Sequence, residues 1–354
     1  MLCYSAYNPP LFLKNGVAMT VYSALWGERY WQQTTALAEP PYHTTVMIGG
    51  QGVPIFSWVA IPKNAHSTII ATYGITGELE QQWFLRLLGR KAYALGYAVV
   101  FFDWRAHGKT AELSPTLTSD GLYEGEDFVR IAAAAAKMGC PSKFWFTGFS
   151  LGGQLALWGV KTASDLIQGG EFLGLRDSDI GGGAVICPSL DSWRSLEYLV
   201  QQPIGKYLEK AIAGNLKKLA WRIHDLHPGT IDPAAIERAN SIWGFDHELV
   251  ISRLGFESVE AYYEASSALQ LLPQISKPTL ILYAADDPLF HPDIVPELEI
   301  ACASNPTLDL LLTPHGGHVG YLSSKAGQRQ AEDPDIWWAW NRTLQWLENQ
   351  REVK

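Results

Sequence analysis

The chain has 354 residues, of which 47% are hydrophobic and 18% charged, a composition typical of a globular protein. The formal net charge is −9 and no block of Lys and Arg occurs, which excludes a surface built to neutralise a nucleic-acid backbone. The longest apolar stretch, around residues 97–102, is far shorter than the ~20 residues of a membrane-spanning helix, and the N-terminus lacks the pattern of a signal peptide. We therefore expect a soluble, cytoplasmic protein with no integral membrane segment.

Short apolar runs alternate with longer helical patterns, as in βαβ units that build a mostly parallel sheet. The first two runs flank Gly49-Gly50-Gln51-Gly52 and predict a hairpin. Most of the others are dense in Val, Ile, Phe and Leu, as strands buried on both faces are. The eight predicted strands are residues 44–48, 54–61, 67–73, 97–104, 143–147, 183–187, 279–283 and 308–312.

Helical patterns occupy the intervals, and one long interval contains nothing else. From about Asp191 to Lys277 several helix patterns follow one another without a strand. An insertion there would lie over the carboxyl ends of the strands, where α/β sheets have their sites. We predict a core of residues 1–190 and 278–354 with a helical cap of residues 191–277. The other main helices are predicted at residues 78–94, 124–137, 151–163 and 336–350.

Potential metal ligands form no recognisable set. His224 and His227 are three residues apart, but the acids near them complete no ligand pattern, which favours a helix end or a surface position. No phosphate-binding glycine loop follows a strand. The cysteines form no C-x-x-C pair and their spacing predicts neither disulfides nor a zinc site. They are Cys3, Cys140, Cys187 and Cys302.

The segment Gly148-Phe149-Ser150-Leu151-Gly152 matches G-x-S-x-G. In this motif the serine lies on a strained turn from strand to helix, and the glycines make room for the tight backbone. Here a predicted strand precedes the motif and a predicted helix follows it. We therefore interpret Ser150 as a nucleophile. The alternative is a glycine-rich turn that only packs a helix on a strand.

A serine nucleophile needs a base, and the base needs an acid that orients it. Asp287 follows the seventh predicted strand and His318 follows the eighth, so both loops lie at carboxyl ends of strands. Glycines on both sides of His318 favour it as the base, with His315 and then His291 as alternatives. Asp287 is favoured as the acid. The alternatives are Asp286, with Asp287 capping a turn, and Asp191; the remaining acids are expected on solvated faces.

An oxyanion hole needs two backbone N–H groups, one of them from the residue after the serine, here Leu151. The second usually comes from the loop after the third strand. Tyr73-Gly74-Ile75-Thr76-Gly77 stands at that place, and we assign Ile75.

Taken together, these motifs resemble the YheT-like branch of the α/β-hydrolases, which includes a group of mammalian abhydrolase-domain proteins. Two further stretches carry the resemblance and extend it along nearly the whole chain: residues 8–16, with a "PP-x-x-L-x-N-G"-like pattern, and residues 255–268, with a "GF…YY…SSA"-like pattern. The chain departs from the family at Tyr73, where the family commonly has His. It departs again at Ala106, where the usual R-G-H motif reads Arg105-Ala106-His107.

The resemblance implies an α/β-hydrolase fold and hydrolysis of carboxylic esters by Ser150, Asp287 and His318 with no cofactor and no metal. The expected substrate is a small-molecule ester or lipid, for a protein that acts as a monomer or homodimer. Two alternatives stay open. One is acyl transfer to an alcohol, which the triad does not separate from hydrolysis. The other is a catalytically silent protein of this fold used for binding, against which the intact order of serine, acid and histidine argues. One hypothesis is that cap residues form an apolar acyl pocket, and the alternative is that they form the core of the cap; they are Trp193, Leu196, Tyr198, Leu208 and Trp243.

Overall fold

A computed structural model describes residues 7–170 and 173–352, so that Cys3 lies outside the described residues. Eight strands form one sheet in the order β1-β2-β4-β3-β5-β6-β7-β8. Only β2 runs against its neighbours, β1 and β4; every other pair in the described sheet is parallel. The strands are β1 His43–Ile48, β2 Pro54–Ala60, β3 Ser67–Thr72, β4 Tyr97–Phe102, β5 Phe144–Phe149, β6 Ile180–Ile186, β7 Thr279–Ala284 and β8 Leu308–Thr313.

The predicted eight-stranded, mostly parallel sheet and its opening hairpin are confirmed. Strand β6 begins three residues before the predicted start because Gly181 to Gly183 interrupt the apolar pattern there. Those glycines keep the strand close to its neighbours: a Cβ on Gly181 would lie 2.6 Å from the Trp145 ring. Strands β3 to β7 are buried along their whole length, as two-sided strands should be.

Helices cover both faces of this sheet. The terminal helix contains a cluster of buried tryptophans that includes Trp340 and Trp346, both 0% exposed. In chain order the helices before β6 are α1 Gly16–Tyr22, α2 Glu28–Tyr30, α3 Trp83–Ala94, α4 Thr110–Leu113, α5 Glu124–Lys137 and α6 Leu151–Gln168. Those after β6 are α7 Ser192–Gln201, α8 Pro203–Leu226, α9 Pro233–Arg238, α10 Ile242–Phe245, α11 Ile251–Leu254, α12 Val259–Ser266, α13 Ile294–Ser304, α14 Lys325–Gln330 and α15 Trp338–Glu352.

The segment between β6 and β7 consists of helices α7 to α12, with a π-helical turn, Asp246–Val250, between α10 and α11. It has a hydrophobic cluster of its own, in which Ile223, Ile236 and Val250 are fully buried. Residues of the loop after β4, such as Ala106, join that cluster and connect the segment to the sheet. Within the described ranges, no helix has both the length and the apolar character needed to cross a lipid bilayer.

The sequence did not predict the N-terminal helices α1 and α2, which a second π-helical turn connects. Asn15 caps α1 by accepting a hydrogen bond from the Ala18 N–H (3.0 Å). The elements are too short for a clear helical period, and their position is set by tertiary contacts. Among these contacts, a Cβ on Gly27 would lie 2.7 Å from the Trp83 ring.

Candidate active site

Ser150 occupies the turn between β5 and α6, with a left-handed φ of +56°. This conformation is strained for a residue with a side chain. A Cβ on Gly148 would lie 1.9 Å from the Gly152 oxygen, and a Cβ on Gly152 would lie 2.3 Å from the Tyr73 oxygen. Only glycine fits at these two positions, which explains why the motif has a glycine two residues before and two residues after the serine. The first N–H groups of α6 have no carbonyl partner within the helix and create a positive end beside Ser150.

His318 and Asp287 lie together at the carboxyl ends of β8 and β7. The His318 Nδ1 and the Asp287 Oδ2 are 2.8 Å apart. The other carboxylate oxygen of Asp287 accepts a hydrogen bond from the Leu289 N–H (2.9 Å). The Phe290 ring packs against the imidazole in a T-shaped arrangement, with 5.2 Å between the ring centroids. Because both carboxylate oxygens are engaged, Asp287 is fixed in the orientation that holds the imidazole through Nδ1 and leaves Nε2 for another partner.

The alternative acids and bases have other partners. Asp286 accepts a hydrogen bond from the Gly317 N–H (2.9 Å), and its other oxygen lies 3.4 Å from the His315 Nδ1. His291 accepts a hydrogen bond from the N–H of Asp293 in its own loop. Asp191 caps α7 and forms an ion pair with Arg194 (2.7 Å). Of the candidates considered, the structure brings His318 and Asp287 together most closely.

Helix α1 supports the loop that carries His318, a contact that the sequence did not reveal. The His318 N–H donates a hydrogen bond to the Thr20 hydroxyl (2.8 Å), and this hydroxyl donates to the Gly16 carbonyl (2.7 Å). The contact is tight, since a Cβ on Gly317 would lie 2.5 Å from the Gly16 oxygen. The family-like stretch of residues 8–16 leads directly into this helix. Asn15 and Gly16 of this stretch therefore have a structural role beside the histidine loop.

Thr20→Val is expected to lower kcat/KM for ester hydrolysis about tenfold. The variant keeps the shape of the side chain but leaves the His318 N–H without an acceptor. An unpaired N–H would loosen the loop that carries His318, and a tenfold factor corresponds to about 1.4 kcal/mol in the activation free energy. Thr20→Ser, which retains the hydroxyl, is the control and should keep nearly full activity. Equal activity of the valine and serine variants would contradict a positioning role for this hydroxyl.

The predicted oxyanion loop comes close to Ser150. A Cβ on Gly74 would lie 3.4 Å from the Ser150 Oγ. Glycine therefore lets the backbone approach the serine at this point. Ile75 and Leu151 border the same cavity as Ser150. Both residues assigned to the oxyanion hole thus flank the predicted nucleophile.

Two buried side chains, Tyr73 and His107, hold this loop, and Tyr73 is the residue at which the chain departs from the family's usual His. The Tyr73 hydroxyl donates a hydrogen bond to Asp103, which also accepts from the Leu79 N–H (2.8 Å). The His107 Nε2 accepts from the Thr76 N–H (3.1 Å), while its Nδ1 donates to the Arg105 carbonyl (2.9 Å). These two bonds select one neutral tautomer of His107. The sequence marked Tyr73 as a departure from the family pattern but did not reveal these hydrogen bonds.

Below pH 6.5, His107 is expected to make the stability depend on pH. Burial lowers the pKa of His107 to about 4, whereas an unfolded chain protonates histidine near pH 6.5. Between these values the unfolded state binds more protons, so the free energy of unfolding falls as the pH falls. The full span corresponds to about 3 kcal/mol. Denaturant titrations at several pH values should show that the free energy of unfolding depends less steeply on pH in His107→Gln than in the wild type. Identical slopes for the two proteins would contradict the prediction.

The cavity beside Ser150 is mainly apolar. Helices α7, α8 and α10 supply much of its wall through Leu196, Leu199, Ile212, Leu216, Ile242 and Phe245. Of the five cap residues expected to form an acyl pocket, Leu196 borders this cavity. Trp193 borders a separate cleft with Tyr263, and Trp243 is 38% exposed. The segment therefore supplies an apolar wall, but most of the residues that form it are not those expected from the sequence.

Cys187 lies next to the His318–Asp287 pair. Potential ligand atoms of these three residues lie within 4.8 Å of one another, a group that could hold a metal ion. Burial, and then the charge of Asp287, raise the pKa of the Cys187 thiol well above its usual range. A metal would need the thiolate. The Cys187 Sγ instead donates to the Gly317 carbonyl (3.6 Å), which only a protonated thiol can do, so Cys187 packs as a thiol against the histidine loop.

Comparison with known proteins gives concordant results. A family model described as "Alpha/beta hydrolase family" matches residues 77–332. The chain is 57% identical to "Putative esterase slr0264" of Synechocystis sp. over 97% of this chain and 94% of that protein. It is 29% identical to "Putative esterase YheT" of Escherichia coli over 58% of this chain and 55% of that protein. The resemblance to the YheT-like branch is thereby confirmed.

Solved structures share the fold at low identity. The esterase Pf2001 of Pyrococcus furiosus superimposes with a TM-score of 0.53 at 17% identity, covering 99% of this chain and 100% of that one. An acylaminoacyl peptidase of Pyrococcus horikoshii gives a TM-score of 0.54 at 12% identity, covering 94% of this chain and 44% of that one. At these identities the likeness concerns the fold alone.

Proposed function

This chain belongs to the alpha/beta hydrolase family, and we propose that it is a serine hydrolase that cleaves carboxylic esters of small or lipid-like substrates. The observation that carries the proposal is the pairing of the His318 Nδ1 with the Asp287 carboxylate (2.8 Å) at the edge of the sheet where Ser150 sits on its strained turn. Serine, acid and histidine follow one another along the chain in the order that this fold uses.

In the proposed mechanism, the Nε2 of His318 accepts the proton of Ser150 as Oγ attacks the ester carbonyl. The negative charge that develops on the carbonyl oxygen is stabilised by the N–H groups of Ile75 and Leu151. Asp287 holds the imidazole and stabilises its charged form. The imidazolium then gives its proton to the leaving alcohol, and an acyl group remains on Ser150. Water, activated by His318, attacks the acyl group, and the carboxylic acid leaves.

We assign residues 191–277 to a cap and the rest of the chain to the catalytic core. Support comes from the separate hydrophobic cluster of the segment and from its contribution to the cavity wall. Leu199 and Leu216, from two different helices of the segment, border the same cavity as Ser150. A wall of this kind suits an acyl chain, because burial of each CH₂ group contributes about 0.8 kcal/mol.

The test combines turnover of p-nitrophenyl esters of increasing chain length with labelling by a fluorophosphonate probe. Turnover together with a single label on Ser150 would support the proposal, and the preferred chain length would report the depth of the cavity. Added alcohol would reveal acyl transfer as a second ester product. A protein that neither turns over any ester nor takes the label would overturn the proposal in favour of a catalytically silent binding protein.

A further inference from the structure

Two buried acids interrupt the apolar cavity and have no part in the proposed mechanism. Asp120 belongs to the loop between α4 and α5 and is 8% exposed. Asp246 opens the π-helical turn after α10 and is 6% exposed. Both residues border the cavity that Ser150 borders. One acid is therefore contributed by the sheet side and the other by the helical segment, and the two sides meet at this cavity.

Their surroundings keep at least one of the two carboxyl groups protonated. Burial, and then the charge of nearby Glu124, raise the pKa of Asp120 to about 7. Burial, and then the charge of Asp120, raise the pKa of Asp246 well above its usual range. Among the described residues, no lysine or arginine borders the cavity to offset a second charge. Its one histidine, His107, is neutral because burial lowers its pKa to about 4.

The protein satisfies only part of the hydrogen-bonding capacity of this region. The Tyr263 hydroxyl donates to the Oδ2 of Asp246, and the Thr118 hydroxyl donates to the Oδ1 of Asp120 (3.2 Å). The bond from Tyr263 engages one oxygen of the Asp246 carboxyl group. Ser195 is a second, independent residue with unused hydrogen-bonding capacity. It borders the same cavity and is 6% exposed, and its hydroxyl has no hydrogen-bond partner among the described residues. Polar groups left without partners in an apolar cavity are costly, and a polar ligand group that pairs with them recovers that cost.

We propose that Asp120 and Asp246 form a polar subsite that binds a hydroxyl group of the ester substrate, so that the enzyme prefers hydroxylated esters to their plain counterparts. A hydroxyl donates to an ionised carboxylate and accepts from a protonated one, which suits two acids of mixed ionisation. A carboxylate or phosphate group on the substrate would meet acids and no cation in the described cavity wall. This inference rests on the proposed ester hydrolysis and specifies the class of substrate.

The position of Asp120 links the subsite to the nucleophile. Its backbone carbonyl accepts a hydrogen bond from the Gln154 side chain (2.7 Å), which also donates to the Ser266 carbonyl (3.1 Å). Gln154 lies in the first turn of α6, directly after Ser150. The same amide thus connects the turn that bears Ser150, the loop that bears Asp120 and the end of α12. The subsite is held at a defined distance from the serine, as selection of a substrate hydroxyl at one position requires.

The test measures kcat/KM in two comparisons. In the first, p-nitrophenyl hexanoate is compared with p-nitrophenyl hexanoates that carry a hydroxyl at each position of the acyl chain in turn. In the second, ethyl hexanoate is compared with the monoester of hexanoic acid and ethylene glycol. We expect at least one hydroxylated ester to be preferred by about tenfold or more, since a site built to bind a hydroxyl discriminates against analogues that lack it. Asp246→Leu should bring this ratio close to one, and Asp246→Asn, which keeps the size of the side chain, should give an intermediate ratio. The exposed acid Asp225, as Asp225→Leu, is the matched control and should leave the ratio unchanged.

Because the ratio compares substrates within one protein, a partial loss of folded variant does not change it. Equal kcat/KM for all esters in the wild type, an unchanged ratio in both Asp246 variants, or a stronger preference for an aminated ester would overturn the subsite. In those cases the plain ester is still hydrolysed, so the proposed function stands. Absence of hydrolysis and of fluorophosphonate labelling would overturn both proposals together.

Discussion

Ser150→Ala is expected to lower kcat for p-nitrophenyl ester hydrolysis by about 10⁵- to 10⁶-fold, with little change in KM. Removal of the serine of a triad has an effect of this size, because the remaining members of the triad have no nucleophile to activate. The cavity wall that binds the substrate is unchanged by the substitution. The measurement is steady-state kinetics on freshly purified protein, with fluorophosphonate labelling of the same samples.

The matched control is Ser192→Ala, since Ser192 borders the same cavity. Its hydroxyl lies 3.4 Å from the Ser189 hydroxyl and has no part in the proposed mechanism. We expect Ser192→Ala to keep kcat within a fewfold of wild type and to retain the label. Activity that survives Ser150→Ala, or a label that moves to another residue, would contradict the assignment of the nucleophile.

Asp287→Asn is expected to lower kcat by about 10⁴-fold while the protein stays folded. The Leu289 N–H, which donates to the Oδ1 of Asp287, would retain the single oxygen of the new amide. The amide nitrogen would then face the His318 Nδ1, and two N–H donors cannot face each other. The imidazole would adopt the tautomer with the proton on Nε2, which cannot accept the proton of Ser150. Circular dichroism beside the kinetics separates this effect from unfolding.

The neighbouring acid is the control for this experiment. Asp286→Asn keeps an oxygen for the Gly317 N–H and leaves the Asp287–His318 contact untouched. We expect it to reduce kcat less than tenfold. If Asp286→Asn is the severe variant and Asp287→Asn the mild one, then the two acids have been assigned in the wrong order.

Local patterns predicted the sheet well, because each buried strand has a continuous apolar run and each site loop follows one of these runs. The serine turn was predictable for the same reason. Gly148 and Gly152 lie two residues from Ser150, and any turn of this shape requires glycine there because a Cβ would clash with the backbone. The pairing of His318 with Asp287 follows from loops at adjacent strands, β8 beside β7.

Contacts between distant segments could not be read in the same way. In the sequence, Thr20 does not differ from any other threonine of a helix. Only the tertiary structure shows that its hydroxyl contacts the His318 loop. Asp120 and Asp246 were among the acids expected on solvated faces, because hydrophobic patterning assigns acids to the surface. The π-helical turn at Asp246 also breaks the helical period that would indicate which side chains face inward. Trp243, which was expected in the pocket, lies partly exposed in the preceding helix α10.

The contact between α1 and the histidine loop has a consequence for biosynthesis. The Thr20–His318 hydrogen bond joins residues 298 positions apart, close to the full length of the chain. Closing so large a loop costs entropy that later contacts must repay, and such long-range pairings form late in folding. During translation the turn with Ser150 can form long before residue 318 leaves the ribosome. The nascent chain would therefore carry a formed serine turn before His318 is in place, and the proposed site would be complete only when the segments of Thr20 and His318 meet.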